Sequence, residues 1–166
     1  MVSNIVLIGM PAAGKSTVGV LLAKSLLMDF VDTDLIIQKR YAMSLCDIIS
    51  QKGSDAFIQI ENDVIKAENF TNSVIATGGS AVYGGEAMEK LSENSKVVFL
   101  TLPIEEIKRR INDIHTRGVV IKNGATLDDL YAERLPLYKK YADITIDCAE
   151  LTAEECVDKI IESINN

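Results

Sequence analysis

Residues 4 to 8 (NIVLI) form a short aliphatic run that stops at Gly9. The chain continues as Gly9-Met10-Pro11-Ala12-Ala13-Gly14-Lys15-Ser16, a match to G-x-x-x-x-G-K-[ST]. From Ser16 to Leu27, Val18, Leu21, Leu22, Ser25 and Leu26 recur at helical spacing. A buried strand, a glycine loop and a helix in that order commit the chain to an α/β architecture. Gly9 and Gly14 let the backbone curl with no Cβ in the way. Successive N–H groups then converge on one point, and the helix N-terminus adds its positive dipole end. Such a cradle suits a phosphate. Pro11, Ala12, Ala13, Gly14, Lys15, Ser16 and Thr17 are therefore the expected nucleotide-binding residues, with Lys15 reaching the β- and γ-phosphates and Ser16 offering a hydroxyl to Mg²⁺.

The rest of the chain alternates strand and helix signals. Strands are expected at 29–31, 74–77, 96–102 and 143–147, and helices at 35–41, 54–69 and after Pro103. Ser44 with Asp47, and Thr152 with Glu155, have capping-box spacing and open two more helices. A helix from Thr126 should kink or stop at Pro136. Residues 112–124 have weak periodicity, two glycines and mixed charge, and read as a loop. Five strands alternating with helices imply a parallel sheet covered on both faces.

Composition excludes several classes. The 166 residues favour one domain. A formal charge of −7 argues against binding to nucleic acid or to an anionic membrane surface. No apolar run is long enough for a membrane span, and residues 1–8 lack the basic start of a signal peptide. Three cysteines without metal or redox spacing read as reduced thiols, and one histidine leaves little scope for zinc. A cytoplasmic setting follows. The chain shows neither an N-K-x-D motif nor a D-x-x-G switch, and no long apolar strand ends in Asp.

Asp32 and Asp34 stand two apart at a strand end, so both side chains leave on one face. Beside a phosphate loop they suit Mg²⁺ and a hydroxyl acceptor. A cap for the next helix, from Thr33 or Asp34, is the compatible alternative. Gly78-Gly79 follows a strand, where ligands of parallel sheets bind and bare backbone allows close approach. Arg134 shares a helical stripe with Leu127, Leu130, Tyr131 and Tyr138, so its guanidinium faces inward and needs an anion. A substrate carboxylate would serve; pairing with Asp128 or Glu61 is the alternative. Arg117 lies in the weakly patterned loop, where a mobile cation would suit phosphoryl transfer.

Taken in order, GMPAAGKST, DFVDTD, MSLCDII, AFIQIE, VIATGGS, a helix ending KRR, a loop with Arg117, ERLPLY and ADITID resemble the shikimate kinases over nearly the whole length. The resemblance implies a five-stranded parallel sheet in the order 2-3-1-4-5, a three-layer sandwich like that of nucleoside monophosphate kinases. It implies a single kinase domain over 1–166, with an acceptor-binding segment at about 33–70 and a lid at about 112–124. The implied reaction moves the γ-phosphoryl of ATP to a ring hydroxyl, with Mg²⁺ as cofactor and a small hydroxylated molecule as partner. Asp34 would hold that hydroxyl, Ser16 and Asp32 the metal, and Gly78, Gly79 and Ser80 the acceptor pocket. Arg134 would grip the substrate carboxylate, Arg117 the transferring phosphate, and Arg110 the adenine. A monomer is expected.

The resemblance also exposes departures. The family carries arginine where this chain has Ile58. That arginine shares the carboxylate with the residue matching Arg134 and pairs with the one matching Glu61. Ser80 replaces a third glycine, and Gly118 replaces the proline after Arg117. Losing one charge-assisted hydrogen bond costs about 1.5–3 kcal/mol, or roughly 10- to 150-fold in affinity. A kinase acting on another hydroxy acid or sugar, in the manner of gluconate kinases, stays open at this point. A non-catalytic nucleotide-binding module is disfavoured by the joint presence of Lys15, Ser16, Asp32, Asp34 and Arg117.

Overall fold

A computed structural model describes residues 3–111 and 118–166. Its five strands are β1 (Asn4–Ile8), β2 (Asp29–Asp32), β3 (Ser73–Ala76), β4 (Ser95–Thr101) and β5 (Ile144–Asp147). All pair in parallel in the order β2-β3-β1-β4-β5. Register pairs such as Ile5↔Val74, Phe30↔Val74, Val6↔Val97 and Phe99↔Thr145 put the strand carboxyl ends along one edge. Every residue of β1 and β3 is buried, although successive side chains point to opposite faces. Both faces are therefore covered, as parallel sheets require.

The helices are α1 (Lys15–Leu26), α2 (Thr33–Tyr41), α3 (Leu45–Lys52), α4 (Ser54–Ala67), α5 (Gly85–Ser92), α6 (Ile104–Arg110), α7 (Leu127–Tyr141) and α8 (Ala153–Asn165). The main core joins both sides of the sheet. A second apolar cluster of Ile37, Leu45, Ile48, Phe57, Val64 and Val120 ties α2, α3 and α4 together, with Ile58 packed against it. The segment from 33 to 70 thus carries a small core of its own.

Several local signals hold. Ser44 caps α3 by accepting from Asp47 N–H at 3.1 Å. Thr152 and Glu155 form the reciprocal box at the start of α8, and Thr126 with Asp129 does the same for α7. Three details differ from expectation. Asp32 caps α2, its Oδ1 accepting from Asp34 N–H at 3.0 Å, rather than Thr33 or Asp34. The 3-10 turn Ala81–Tyr83 and α5, which buries Ala87, Met88 and Leu91 on one stripe, carry no expectation from the sequence.

The third difference is that α7 runs through Pro136 to Tyr141 and does not stop there. A proline in a helix removes one hydrogen bond and costs about 3 kcal/mol. Tertiary contacts of the last turns offset that. Tyr138 is fully buried, stacks on Phe99 of β4 with ring centroids 5.1 Å apart, and donates to the Gly79 carbonyl at 2.7 Å. Phe99→Ala, which removes this anchor, should lower the unfolding free energy by about 3–5 kcal/mol in urea titration. A loss below about 1 kcal/mol would mean that the β4–α7 contact does not hold the helix.

Candidate active site

The carboxyl edge of the sheet opens into a cavity of about 720 Å³. Its lining brings together Pro11, Ala12, Gly14, Lys15, Ser16 and Thr17 of the glycine loop with Asp32, Asp34, Gly78, Gly79, Ser80, Arg110 and Arg134. Ala13 is buried behind the loop. Ile58 and Glu61 stand one layer back from the cavity wall. Arg117 lies outside the described residues.

At the loop end, Gly14 adopts a left-handed conformation (φ 96°) immediately before α1. Lys15 turns back and donates to the carbonyls of Gly9 and Met10, both at 2.8 Å. Burial lowers its pKa from 10.5 to about 8, with Arg134 also lowering it and the carboxylates of Asp34, Asp32 and Glu61 opposing. Its ammonium is held over the loop mouth where a phosphate would sit. Ser16 Oγ donates to Asp32 Oδ2 at 3.0 Å. Asp32 therefore caps a helix with one oxygen and meets the loop serine with the other.

Asp34, on the first turn of α2, points into the same space. Burial raises its pKa to about 6, the neighbouring Asp32 charge adds to that, and Lys15 opposes. Arg110 is tied by its Nε to Glu106 at 2.8 Å and by Nη1 to the Ala12 carbonyl at 3.3 Å. Arg109 also binds Glu106, through Nε and Nη2, and the two guanidinium groups together hold that carboxyl down at about 2.

Arg134 also lines the cavity and is only 1% exposed. Its Nη2 donates to the Val120 carbonyl at 3.0 Å, and its guanidinium carbon stands 5.3 Å from the centre of the Tyr83 ring. Among the described residues no carboxylate forms an ion pair with it; Asp128, a sequence-level candidate, pairs with Lys108 instead. A desolvated guanidinium facing a cavity is a site for an anion.

Gly78 and Gly79 belong to the same lining. A Cβ on Gly78 would overlap Glu61 Oε1 and lie 2.8 Å from Asp34 Oδ1. One on Gly79 would lie 2.7 Å from Arg134 Nη1 and 3.0 Å from Pro11 Cδ. Glu61 is fully buried; its Oε2 accepts from Ser80 Oγ at 2.5 Å, and Oε1 has no partner among the described residues.

Sequence reasoning missed part of the wall. Leu45, Phe57, Val119 and Val120 form its apolar side. The apolar four have the same pattern as core residues, so nothing in the sequence separates them. Tyr83, beneath Arg134, lies in the unread turn after the glycine pair.

The model of the family described as shikimate kinase matches residues 11–165. A shikimate kinase of Clostridium botulinum is 36% identical over 168 aligned residues, covering 99% of this chain and 96% of that protein. One from Francisella tularensis is 38% identical, covering 95% and 92%. Among solved structures, shikimate kinase from Acinetobacter baumannii in complex with shikimate superposes with a TM-score of 0.90 at 30% identity, covering 99% of this chain and 94% of that one. The Aquifex aeolicus shikimate kinase superposes with a TM-score of 0.83 at 34% identity, covering 98% and 96%. With the family model spanning nearly the whole sequence and these relatives matched end to end, the chain belongs to the shikimate kinase family.

Proposed function

We propose that this protein transfers the γ-phosphoryl group of ATP to a ring hydroxyl of shikimate, giving shikimate 3-phosphate and ADP. The observation that carries the reading is Arg134, a buried cation without a carboxylate partner among the described residues, on the wall of the same cavity as Lys15 and Asp34. A molecule with a carboxylate at one end and a hydroxyl at the other fits between them.

The division of labour follows from position. The loop N–H groups and Lys15 bind the β- and γ-phosphates, exchanging Lys15's carbonyl partners for phosphate oxygens. Arg134 holds the acceptor carboxylate. The bare backbone of Gly78 and Gly79 lets the acceptor ring approach the sheet edge. Asp34 accepts a hydrogen bond from the reacting hydroxyl, as orienter or base. That hydroxyl oxygen bonds to the γ-phosphorus, its proton leaves, and the bond from phosphorus to the β–γ bridging oxygen breaks with ADP as leaving group. Arg110, fixed by Glu106 and the Ala12 carbonyl, offers a guanidinium face to the adenine. The role of Arg117 on the transferring phosphate rests on the family resemblance.

The residues present fit Mg²⁺. Ser16 and Asp32 bring hard oxygens together at the loop, and Mg²⁺ bound with substrate phosphates needs only one or two protein oxygens. When bound, it would neutralise charge on the phosphates.

The same reading takes the α2–α4 segment, about 33–70, as the acceptor-binding part and about 112–124 as the lid of one kinase domain. Its separate apolar cluster supports the first assignment. The net charge of −7 fits a cytoplasmic monomer without nucleic-acid or membrane partners.

The direct test is ADP release by purified protein with Mg-ATP and shikimate, against a panel of other hydroxy acids and sugars. Turnover of another acceptor but not shikimate would refute the assignment. In thermal melts, Lys15→Ala should abolish the stabilisation given by Mg-ATP; an unchanged shift would remove Lys15 from the phosphate site. Asp34→Asn should keep ATP affinity within a few-fold while kcat falls by roughly 10²–10⁴, the usual contribution of a positioned acid or base. Equal losses in both would make Asp34 a structural or metal-holding residue.

A further inference from the structure

Glu61 is a buried carboxyl group that the proposed chemistry does not use. It sits on α4 three residues after Ile58, on the same side of the helix. Ile58 is spent on the apolar cluster behind the cavity wall and offers Glu61 nothing polar. Glu61 instead turns one oxygen to Ser80 and leaves the other, without a partner among the described residues, against Gly78. Among the described residues, the groups acting on it are Asp34 from α2, Lys15 from the start of α1, Ser80 from the turn after β3 and Arg134 from α7, all of which line the cavity, with the buried Tyr138 of α7 behind them.

We propose that Glu61 and Ser80 form a neutral positioning pair behind Gly78, and that binding of an anionic acceptor is coupled to the proton on Glu61. This rests on the reading of the cavity as a site for a carboxylate-bearing acceptor. An unpartnered carboxylate oxygen out of water costs far more than a neutral acid does. Burial, foremost, and the Asp34 charge raise the Glu61 pKa to about 7, against the lowering effects of Ser80, Arg134 and Lys15. The folded protein thus holds this proton more tightly than the unfolded chain, whose carboxyl titrates near 4.5. Between those values, raising the pH destabilises the fold through Glu61.

The coupling has a definite sign. An ionised Glu61 competes with the acceptor carboxylate for the field of Arg134 and repels it through a poorly screened interior. A protonated one does neither. Acceptor affinity should therefore weaken as the pH rises through about 7. By reciprocity, a bound acceptor should raise the Glu61 titration midpoint. Ser80 Oγ donates to the acid group and steadies it, a contact the family's glycine could not make.

Two measurements separate this inference from the proposed activity. The first needs no acceptor: the Glu61 side-chain carbon is titrated by NMR in ¹³C-glutamate protein. A midpoint near neutrality is expected, moving up in Ser80→Ala and down in Ile58→Arg, where a cation is returned. A midpoint in the ordinary carboxylate range would overturn the neutral pair, and one indifferent to Ser80→Ala would remove Ser80 from it.

The second is KM for shikimate from pH 6 to 8 with ATP saturating. It should rise roughly 3- to 10-fold more in the wild type than in Glu61→Gln, where Asp34 and Lys15 still titrate. Asp34 and Lys15 remain in both proteins, so the difference isolates Glu61. Turnover with identical KM profiles in both would overturn the coupling. A neutral-range midpoint in a protein that does not phosphorylate shikimate would instead refute the proposed acceptor and leave the Glu61–Ser80 pair standing. If Glu61→Gln does not fold, Ser80→Ala carries the second test, its rise in KM displaced to higher pH.

Discussion

The backbone at Gly78 and Gly79 is squeezed from four elements at once. Glu61 of α4 and Asp34 of α2 close on Gly78, while Arg134 of α7 and Pro11 of the glycine loop close on Gly79. The Gly78 N–H donates to Thr33 Oγ1 at 3.3 Å, and the Gly79 carbonyl accepts from Tyr138. No side chain fits at this crossing, so the elements meet through the main chain itself. The distance between the phosphate end and the carboxylate end of the cavity is set here. A shift of α7 along β4 would move Arg134 relative to Lys15, and the buried Tyr138–Phe99 stack opposes that shift.

Sheet topology explains why such remote parts of the chain converge. In an all-parallel sheet every strand delivers its last residue to the same edge. β1 delivers the glycine loop, β2 the pair Asp32 and Asp34, and β3 the pair Gly78 and Gly79. The order β2-β3-β1 sets these three endings side by side. Arg110 arrives one step further, on the helix after β4.

This determines what could be read in advance. Lys15, Asp32, Asp34, Gly78 and Arg134 were legible because each breaks a local rule: a lysine beside glycines, acids ending an apolar strand, a guanidinium on an apolar stripe. Leu45, Phe57 and Val120 break none. They line a pocket and fill a core with the same side chains, and only coordinates separate the two uses. Pro136, expected to kink or stop the helix, does not stop it, because the buried Tyr138 two residues on anchors the last turns against β4. The cap assigned to Thr33 or Asp34 failed because Asp32 could serve two partners from two oxygens. Ile58 and Ser80 were visible as separate departures. Their connection through Glu61 was not, since α4 and the turn after β3 meet only in space.

That connection bears on how such a site tolerates losing a cation. A buried ion pair is costly to desolvate, and removing one partner while leaving the other charged is the worst arrangement. With Ile58 on α4, a charged Glu61 would be that leftover partner. The cavity offers two ways out: neutralise the acid, or give it another donor. The structure supplies the second as a hydroxyl from Ser80, and the burial that raises the Glu61 pKa to about 7 favours the first. Ile58 meanwhile adds apolar contact to the α2–α4 cluster, which a guanidinium would not supply. Arg134 is then the cation left to meet an acceptor carboxylate, and its hold on that group varies with the protonation of a neighbour one glycine away. In this pocket, charge balance and acceptor binding are two expressions of the same electrostatic equilibrium.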